Sequence, residues 1–195
     1  MTCTSESPLE ARTSTNLLTT KTSTRIGTWN IRILYDSGRI NKVASEMRKY
    51  KIKVLGLSET RWNGSGLSNL TTGESIIYSG HEDLDHDLTQ GVALLLSRET
   101  FKALLGWEPV SSRLMTARFN AKGRKTTIIQ CYAPTNAEPE EENEEFYNAL
   151  QSVLEKTTKN DIKKLTKVLK LYKDATSAVY FNNNIGDWFK ATVEI

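Results

Sequence analysis

The chain has 195 residues, of which 38% are hydrophobic and 25% are charged, and its formal net charge is +3. These values argue against a wholly disordered chain, and the weak positive charge permits a polyanionic partner. Two cysteines, Cys3 and Cys131, are too few for a disulfide framework or a metal-thiolate cluster. Since no apolar stretch approaches the roughly 18 residues of a membrane span, we expect an intracellular protein without membrane association.

The first strands follow a leader with a different composition. Residues 1–24 are rich in Ser and Thr and poor in apolar side chains, which predicts a disordered leader. Residues 26–31 and 54–57 have the apolar character of buried strands, and a helix is predicted between them. One face of that helix is predicted to be buried, and its residues are Ile40, Val43, Ala44, Met47 and Tyr50. This strand, helix and strand order is typical of two parallel strands in a sheet covered by helices.

The middle of the chain predicts further strands. Residues 75–79 predict a short strand, and residues 91–96 predict a strongly apolar one. The segments that flank the short strand are predicted loops, residues 63–66 and 81–87. Residues 113–119 and 126–132 predict an antiparallel pair, because the segment between them has the Asn and Gly residues of a tight hairpin.

A second helix is predicted from about Glu140 to Lys156, because glutamates fill its first turns and a lysine ends it, as the helix dipole favours. Its buried stripe consists of Phe146, Leu150, Val153 and Leu154. Beyond Asp161 the chain becomes rich in lysines, which surround a helical apolar stripe over residues 162–172. Residues 178–181 and 188–193 predict a final pair of strands joined by an Asn-rich turn.

Two polar residues stand at the ends of the first two predicted strands. Asn30 ends the first strand and Glu59 follows the second. Because the ends of neighbouring parallel strands meet at one crevice, we expect the amide and the carboxylate to lie side by side. A hard cation such as Mg²⁺ prefers carboxylate oxygen, and it can bridge to a phosphate. The two residues therefore predict a site for a hard cation and a phosphate.

Four segments in a fixed order carry a more specific signal. They are Gly27-Thr28-Trp29-Asn30-Ile31-Arg32, Gly56-Leu57-Ser58-Glu59-Thr60-Arg61, Gly91-Val92-Ala93-Leu94-Leu95-Leu96 and Gln130-Cys131-Tyr132-Ala133-Pro134-Thr135. At these residues the chain resembles the endonuclease/exonuclease/phosphatase family, which includes deoxyribonuclease I. With Trp62 after Arg61, it looks most like the nuclease domain of non-LTR retrotransposon endonuclease-reverse transcriptases and the related craniofacial development protein 2-like proteins.

The resemblance covers roughly residues 25–162. It implies an α/β fold, a four-layer α/β sandwich of the deoxyribonuclease I-like type that is incomplete here, and Mg²⁺-dependent cleavage of DNA phosphodiesters. Carried over to this chain, Glu59 would ligate Mg²⁺, Asn30 would hold the metal-site network and Tyr132 would hydrogen-bond the scissile phosphate. Arg113 is a candidate substrate-binding residue. The resemblance implies DNA as partner, in the nucleus or cytoplasm, with no small-molecule cofactor, and it leaves the oligomeric state open.

The chain departs from the family pattern in its last third. A Gly-Asp-x-Asn segment and a Ser-Asp-His segment of the family have no counterpart, and a positioned general base typically contributes a factor of about 10²–10⁴ in rate. The two histidines, His81 and His86, lie in the acidic loop, whose spacing fits no metal signature, so we expect that loop to be solvated. Residues 163–195 instead resemble a short segment of the reverse transcriptase of the same elements, as in an internally deleted copy with an appended helix-hairpin.

Two alternatives to an impaired endonuclease stay open at this point. One is a non-catalytic remnant that binds nucleic acid through its basic surface, and the other is a poorly folded fragment with an open sheet edge. We expect Trp29, Trp62 and Trp107 to pack at the core or its rim rather than to stack on bases.

Overall fold

The computed structural model describes residues 24–31, 37–81, 90–121, 124–135, 138–157 and 178–182. Its helices are α1 (Ser37–Lys49), α2 (Arg98–Lys102) and α3 (Glu140–Lys156). Its strands are β1 (Arg25–Asn30), β2 (Ile52–Ser58), β3 (Ser65–Asn69), β4 (Ser75–Ser79), β5 (Val92–Leu96), β6 (Leu104–Ser111), β7 (Leu114–Ala121), β8 (Arg124–Cys131) and β9 (Ala178–Asn182). None of the helices within these ranges is long and apolar enough to cross a membrane.

The strands form two sheets. The first has the order β1-β2-β5-β4-β3 and the second the order β6-β7-β8-β9. β1 and β2 are parallel, as predicted. Asn30 pairs with Ser58, so the carboxyl ends of the two strands lie side by side. The other neighbours in both sheets are antiparallel, which includes the predicted β7–β8 pair. The first sheet is therefore mixed, with one parallel pair at the edge that carries Asn30.

Three apolar clusters show how the layers stack. Val54 and Leu94 of the first sheet meet Phe119 and Ile128 of the second, which places a core between the sheets. The buried face of α1 covers the opposite side of the first sheet through Ile40, Val43, Ala44 and Met47. The buried face of α3 covers the opposite side of the second sheet through Phe146, Leu150 and Val153. The predicted α/β fold is thus confirmed, with the layers in the order helix, sheet, sheet, helix.

Several local expectations are wrong. Tyr50 follows the end of α1 and is 43% exposed, so it is not part of the buried face. β3 (Ser65–Asn69) begins inside residues 63–66, where a loop was expected, and β6 and α2 were not predicted. β3 and β6 are edge strands with mostly exposed residues, so neither has the alternating pattern of a half-buried strand. β6 also contains Pro109, which is typical of an edge strand. Leu154 is only partly buried against the cluster under α3.

The tail contributes one strand to the second sheet, and its predicted pairing with residues 188–193 stays a prediction. β9 lies antiparallel to β8, with Ala178 opposite Cys131, so residues 178–182 extend the second sheet. The expected partner strand at 188–193, the lysine-rich stretch and residues 1–23 of the expected leader lie outside the described residues. The packing expected of the tryptophans is found, because Trp29 and Trp62 pack against the core under α1 and Trp107 packs against the core between the sheets.

Candidate functional site

Three of the predicted site residues meet at one end of the two sheets. The amide nitrogen of Asn30 donates a hydrogen bond to Glu59 Oε1 at 2.6 Å, and the Tyr132 hydroxyl donates to the same oxygen at 2.8 Å. Asn30 ends β1, Glu59 follows β2, and Tyr132 follows β8. The site is thus built from the first sheet on one side and the second sheet on the other.

Glu59 reaches this position because the backbone turns sharply after β2. Glu59 and Arg61 both have φ of 58°, in the left-handed region that costs non-glycine residues about 1–3 kcal/mol each. Buried Thr60 between them anchors the turn. Its amide donates to the carbonyl of Gly91 at 3.1 Å, and the Arg61 amide donates to the carbonyl of Gln90 at 2.7 Å. Strained backbone of this kind concentrates at functional sites, and here it directs a carboxylate out of the sheet.

Gln130 lies beneath the three residues, between the sheets. It is fully buried, and its amide nitrogen donates to Ser58 Oγ at 3.2 Å and to the Leu57 carbonyl at 3.4 Å. Its side-chain oxygen has no hydrogen-bond partner among the described residues. Gln130 lies in the last of the four ordered segments, but no role was predicted for it. The sequence does contain a signal for it, because a polar residue at an inward position of an apolar strand is expected to hydrogen-bond another buried group.

Arg113, the fourth predicted residue, is buried against the Tyr132 ring rather than exposed to solvent. It is 6% exposed, and its Nη2 donates to a carboxylate oxygen of Glu138 at 2.7 Å. Its guanidinium carbon lies 5.3 Å from the centre of the Tyr132 ring, within cation–π range. The Tyr132 amide also donates to the Arg113 carbonyl at 2.8 Å. Arg113 therefore ties the segment before α3 to Tyr132 and acts as a positioning residue, while phosphate contact by it stays a prediction.

The Gln90 amide completes this arrangement. With its nitrogen toward Ser112 Oγ, its oxygen accepts from Arg113 Nη2 at 2.9 Å. Arg113 Nη1 is buried and has no partner within the part of the chain that the structure describes. The same Gln90 residue supplies the carbonyl that holds Arg61, so one segment supports both the carboxylate turn and the arginine.

Replacing Arg113 by Met is expected to lower the free energy of unfolding by about 3 kcal/mol, the lower end of the range for breaking a buried ion pair, because Glu138 still reaches solvent. Urea unfolding measures this loss. A double-mutant cycle with Glu138→Gln should show strong coupling between the two residues, because each loses its partner when the other changes. Strictly additive losses would show that Arg113 is not held by Glu138.

The oxygen atoms of the site determine which cation it can hold. Within the described residues, Glu59 Oε2 accepts no hydrogen bond, since Asn30 and Tyr132 both use Oε1. Those residues contain no group of three or more His, Cys, Asp and Glu side chains that could hold a metal. Mg²⁺ commonly binds through one or two carboxylates and keeps several waters, whereas zinc and calcium need more protein ligands. One carboxylate oxygen beside an amide therefore fits a water-rich Mg²⁺ ion.

Tyr132 keeps its proton in this environment. Burial, followed by the hydrogen bond and charge of Glu59, raises the pKa of Tyr132 to about 12. A phenol with that pKa is a hydrogen-bond donor throughout the physiological pH range. The hydroxyl has a single proton, so at any moment it can be donated to Glu59 or to an anionic ligand but not to both.

The raised pKa predicts a loss of stability at high pH. A tyrosine with a pKa of about 12 in the folded state and 10.0 as its ordinary value contributes stability that is present below pH 10.0 and is lost as the pH rises toward 12. Urea unfolding of the wild type across this range should therefore show a steeper decline than unfolding of Tyr132→Phe. Equal declines in the two proteins would mean that Tyr132 does not titrate abnormally.

The sequence of the chain is similar to those of two known proteins. No known family model matches the chain. Over 137 residues the chain is 37% identical to craniofacial development protein 2 of Bos taurus, and this alignment covers 70% of the chain and 22% of that protein. It is 36% identical to craniofacial development protein 2 of Tragulus javanicus, over 70% of this chain and 23% of that protein. The aligned part is thus less than a quarter of either relative's length. Over most of its own length, the chain is a homologue of craniofacial development protein 2.

Proposed function

We propose that the chain is a degenerate copy of a retrotransposon-type, Mg²⁺-dependent DNA endonuclease domain, which still binds Mg²⁺ and DNA phosphates at the Asn30–Glu59–Tyr132 site. The observation that carries this proposal is the single carboxylate oxygen that receives both hydrogen bonds. Asn30 and Tyr132 fix Glu59 through Oε1, so Oε2 is the oxygen that can face a cation. The ordered motifs and the layered fold support the nuclease ancestry.

Each side chain has a distinct part in this proposal. Glu59 would hold the metal through Oε2, and Asn30 would keep the carboxylate in that orientation. When bound, Mg²⁺ would neutralise phosphodiester charge and orient a water molecule. Tyr132 would turn its proton from Glu59 to a phosphate oxygen as DNA binds, which its raised pKa permits. Arg113 would hold the Tyr132 ring during that change.

Hydrolysis by this chain is expected to be weak. The sequence after Asp161 continues into lysines without a Gly-Asp-x-Asn segment. The described residues contain no aspartate and one histidine, His81, whose backbone forms a β-bridge with Asn63. Loss of a positioned base alone typically lowers a rate by about 10²–10⁴. A non-catalytic nucleic-acid-binding remnant is the second candidate, and the same absence of acid and base groups favours it.

A gel experiment with supercoiled plasmid tests the proposal. Wild type, Glu59→Ala and the control Glu99→Ala, an exposed carboxylate on α2, are each incubated with plasmid in Mg²⁺ or in chelator. We expect Mg²⁺ to strengthen DNA retention by the wild type and by the control but not by Glu59→Ala, with nicking close to the chelator background. Retention should also weaken as salt rises.

The other outcomes are equally informative. Retention that is unaffected by Mg²⁺ and by Glu59→Ala would contradict the proposed metal site. Nicking that requires both Mg²⁺ and Glu59 would establish an active endonuclease and overturn the expected impairment. Mg²⁺-independent retention without nicking would leave the non-catalytic nucleic-acid-binding remnant as the function of the chain.

A further inference from the structure

A cavity of about 410 Å³ lies on the side of the second sheet that faces α3, where that helix ends. Its walls come from β6, β7, β8 and the last turn of α3, and three of its lining residues are basic, namely Arg118, Lys125 and Lys156. Lys125 lies near the start of β8 and Tyr132 follows the end of that strand, so about 24 Å of extended chain separates the cavity from the Glu59 site. The cavity is therefore distinct from that site.

Arg118 and Lys125 are two cations on the same face of the sheet. Arg118 pairs with Thr127 across β7 and β8, and Lys125 is two residues before Thr127, so the two basic residues are diagonal neighbours. Diagonal positions are about 7–8 Å apart, which is within the Debye length of about 8 Å at physiological salt, so the two charges repel. Neither side chain forms an ion pair with another residue that the structure describes. An anion bound between them would relieve the repulsion.

Lys156 adds a third cation, from the last turn of α3. Its Nζ lies 3.8 Å from Glu108 Oε1, and the two side chains are 71% and 61% exposed. An ion pair this exposed contributes little free energy, so a bound anion can compete with Glu108 for the lysine. The carbonyls of Val153 and Leu154 accept from the Thr157 amide, which reduces the negative potential that a helix end presents to an anion.

The side chains around the two sheet cations are polar rather than aromatic. Trp107 pairs with Ala117, and both belong to the core between the sheets, so the tryptophan ring lies on the other face of the second sheet from Arg118. Thr116 and Thr127 lie on the same face as Arg118 and line the cavity. Hydroxyl and basic side chains together commonly hold phosphate oxygens. The lining therefore favours a phosphate group.

The charge and the size of the cavity narrow the ligand further. Three basic residues and one carboxylate leave the lining with an excess of two positive charges. A phosphate monoester carries about −1.5 to −2 charges near pH 7, whereas a phosphodiester carries about one. Gly106 pairs with Arg118 and has no atom within 4 Å of an added Cβ, so the space beside this arginine is open. The volume lies in the range of about 300–1,000 Å³ that is typical of small-molecule sites, which leaves room for a small group attached to the phosphate.

We propose that this cavity binds a doubly charged phosphate group, as free inorganic phosphate or as the phosphate of a small phosphomonoester, between Arg118 and Lys125. The Thr127 hydroxyl is a further donor to it. The proposal does not depend on metal binding at Glu59. It gives the chain a small-anion site at the other end of β8 from the site proposed for phosphodiester chemistry.

Calorimetry on the full chain tests the proposal with three probes, in buffer from which a chelating resin has removed divalent metal. The probes are inorganic phosphate, ribose 5-phosphate and the singly charged diester dimethyl phosphate. The first two should bind saturably, and dimethyl phosphate at least about tenfold more weakly, because it has one charge fewer. Tighter binding of ribose 5-phosphate than of inorganic phosphate would assign the site to phosphomonoesters, and equal or weaker binding would assign it to free phosphate.

Substitutions of the two sheet cations should weaken binding at this site alone. Arg118→Gln and Lys125→Gln should each lower the affinity for inorganic phosphate about tenfold, because each removes a charged contact. Both side chains are exposed, so the fold should persist. Lys42→Gln, an exposed lysine on α1, removes the same charge elsewhere and should leave the affinity unchanged. Glu59→Gln should also leave it unchanged, which separates this site from the proposed metal site.

Glu108→Gln should act in the opposite direction. It removes the carboxylate that competes for Lys156, so the affinity for inorganic phosphate should rise about threefold. Glu99→Gln changes the net charge equally and should leave the affinity unchanged, because Glu99 pairs with Lys53 on α2 and does not line the cavity. A gain of affinity also distinguishes the proposed contact from damage to the fold, which would weaken binding.

Three results would overturn the proposal. The first is the absence of saturable binding of inorganic phosphate and ribose 5-phosphate. The second is binding of dimethyl phosphate as tight as that of the doubly charged probes. The third is an equal loss of affinity in Lys42→Gln and Arg118→Gln, because binding would then depend on the general charge of the protein.

Discussion

Replacing Glu59 by Gln is expected to lower the affinity for Mg²⁺ at least about 100-fold, because the amide nitrogen that replaces Oε2 cannot ligate a cation. The remaining oxygen of the glutamine still accepts a hydrogen bond from Asn30 or Tyr132, so the fold should persist. The free energy of unfolding without metal should change by only about 1 kcal/mol. Isothermal titration with Mg²⁺ at low salt measures the affinity, and urea unfolding in chelator measures the stability.

Glu99→Gln is the matched control for this change. Glu99 has the same charge and lies on α2, and its side chain is 71% exposed in an ion pair with Lys53. It should leave the Mg²⁺ affinity unchanged. If the two variants lose the same affinity, the metal responds to the overall charge of the protein and not to a site at Glu59.

Gly91→Ala is expected to lower the free energy of unfolding by about 2–4 kcal/mol, from backbone strain and overpacking together. Gly91 has φ of 111°, which residues with a Cβ rarely adopt, and an added Cβ would overlap with Thr60 Oγ1 and lie 3.1 Å from the Arg61 nitrogen. The Gly91 carbonyl also accepts from the Thr60 amide. The substitution should therefore disturb the turn that carries Glu59 and weaken Mg²⁺ binding as well.

Gly106→Ala separates this effect from the general effect of adding a methyl group. Gly106 lies on the edge strand β6, has no atom within 4 Å of an added Cβ and does not have a positive φ. The free energy of unfolding should change by about 0.5 kcal/mol or less in Gly106→Ala. Urea unfolding of both variants makes the comparison. A loss at Gly91 no larger than the loss at Gly106 would show that the turn after β2 tolerates a side chain beside Thr60.

The elements that sequence reasoning predicted well are those with a strong hydrophobic period. The buried face of α1 from Ile40 to Met47 and the apolar strand β5 are dictated by burial on one or both sides. The parallel β1–β2 pair followed from the strand, helix and strand order. That order predicted that Asn30 and Glu59 lie side by side, and in the structure the two side chains are joined by a hydrogen bond of 2.6 Å.

The features that sequence reasoning missed depend on tertiary contacts. β3 and β6 are edge strands whose exposed residues lack a period, so only pairing with β4 and β7 makes them strands. The engagement of Arg113 with Glu138 joins residues 25 positions apart through the packing of the segment before α3 on the second sheet. Gln130 is explained only by the second sheet lying against Ser58. The pairing of β3 and β6 and the Arg113–Glu138 contact have no local sequence signal, and the polar Gln130 in an apolar strand signals only that its side chain needs a partner.

The most direct test of the metal site is paramagnetic broadening of the amide NMR signals by substoichiometric Mn²⁺, which replaces Mg²⁺ at oxygen sites. The proposed site predicts that the signals of Asn30, Glu59 and Thr60 broaden first, and that Glu59→Gln removes this broadening. Broadening centred instead on the acidic first turn of α3, at Glu140–Glu142, and unchanged in Glu59→Gln would contradict the assignment of the metal to Glu59.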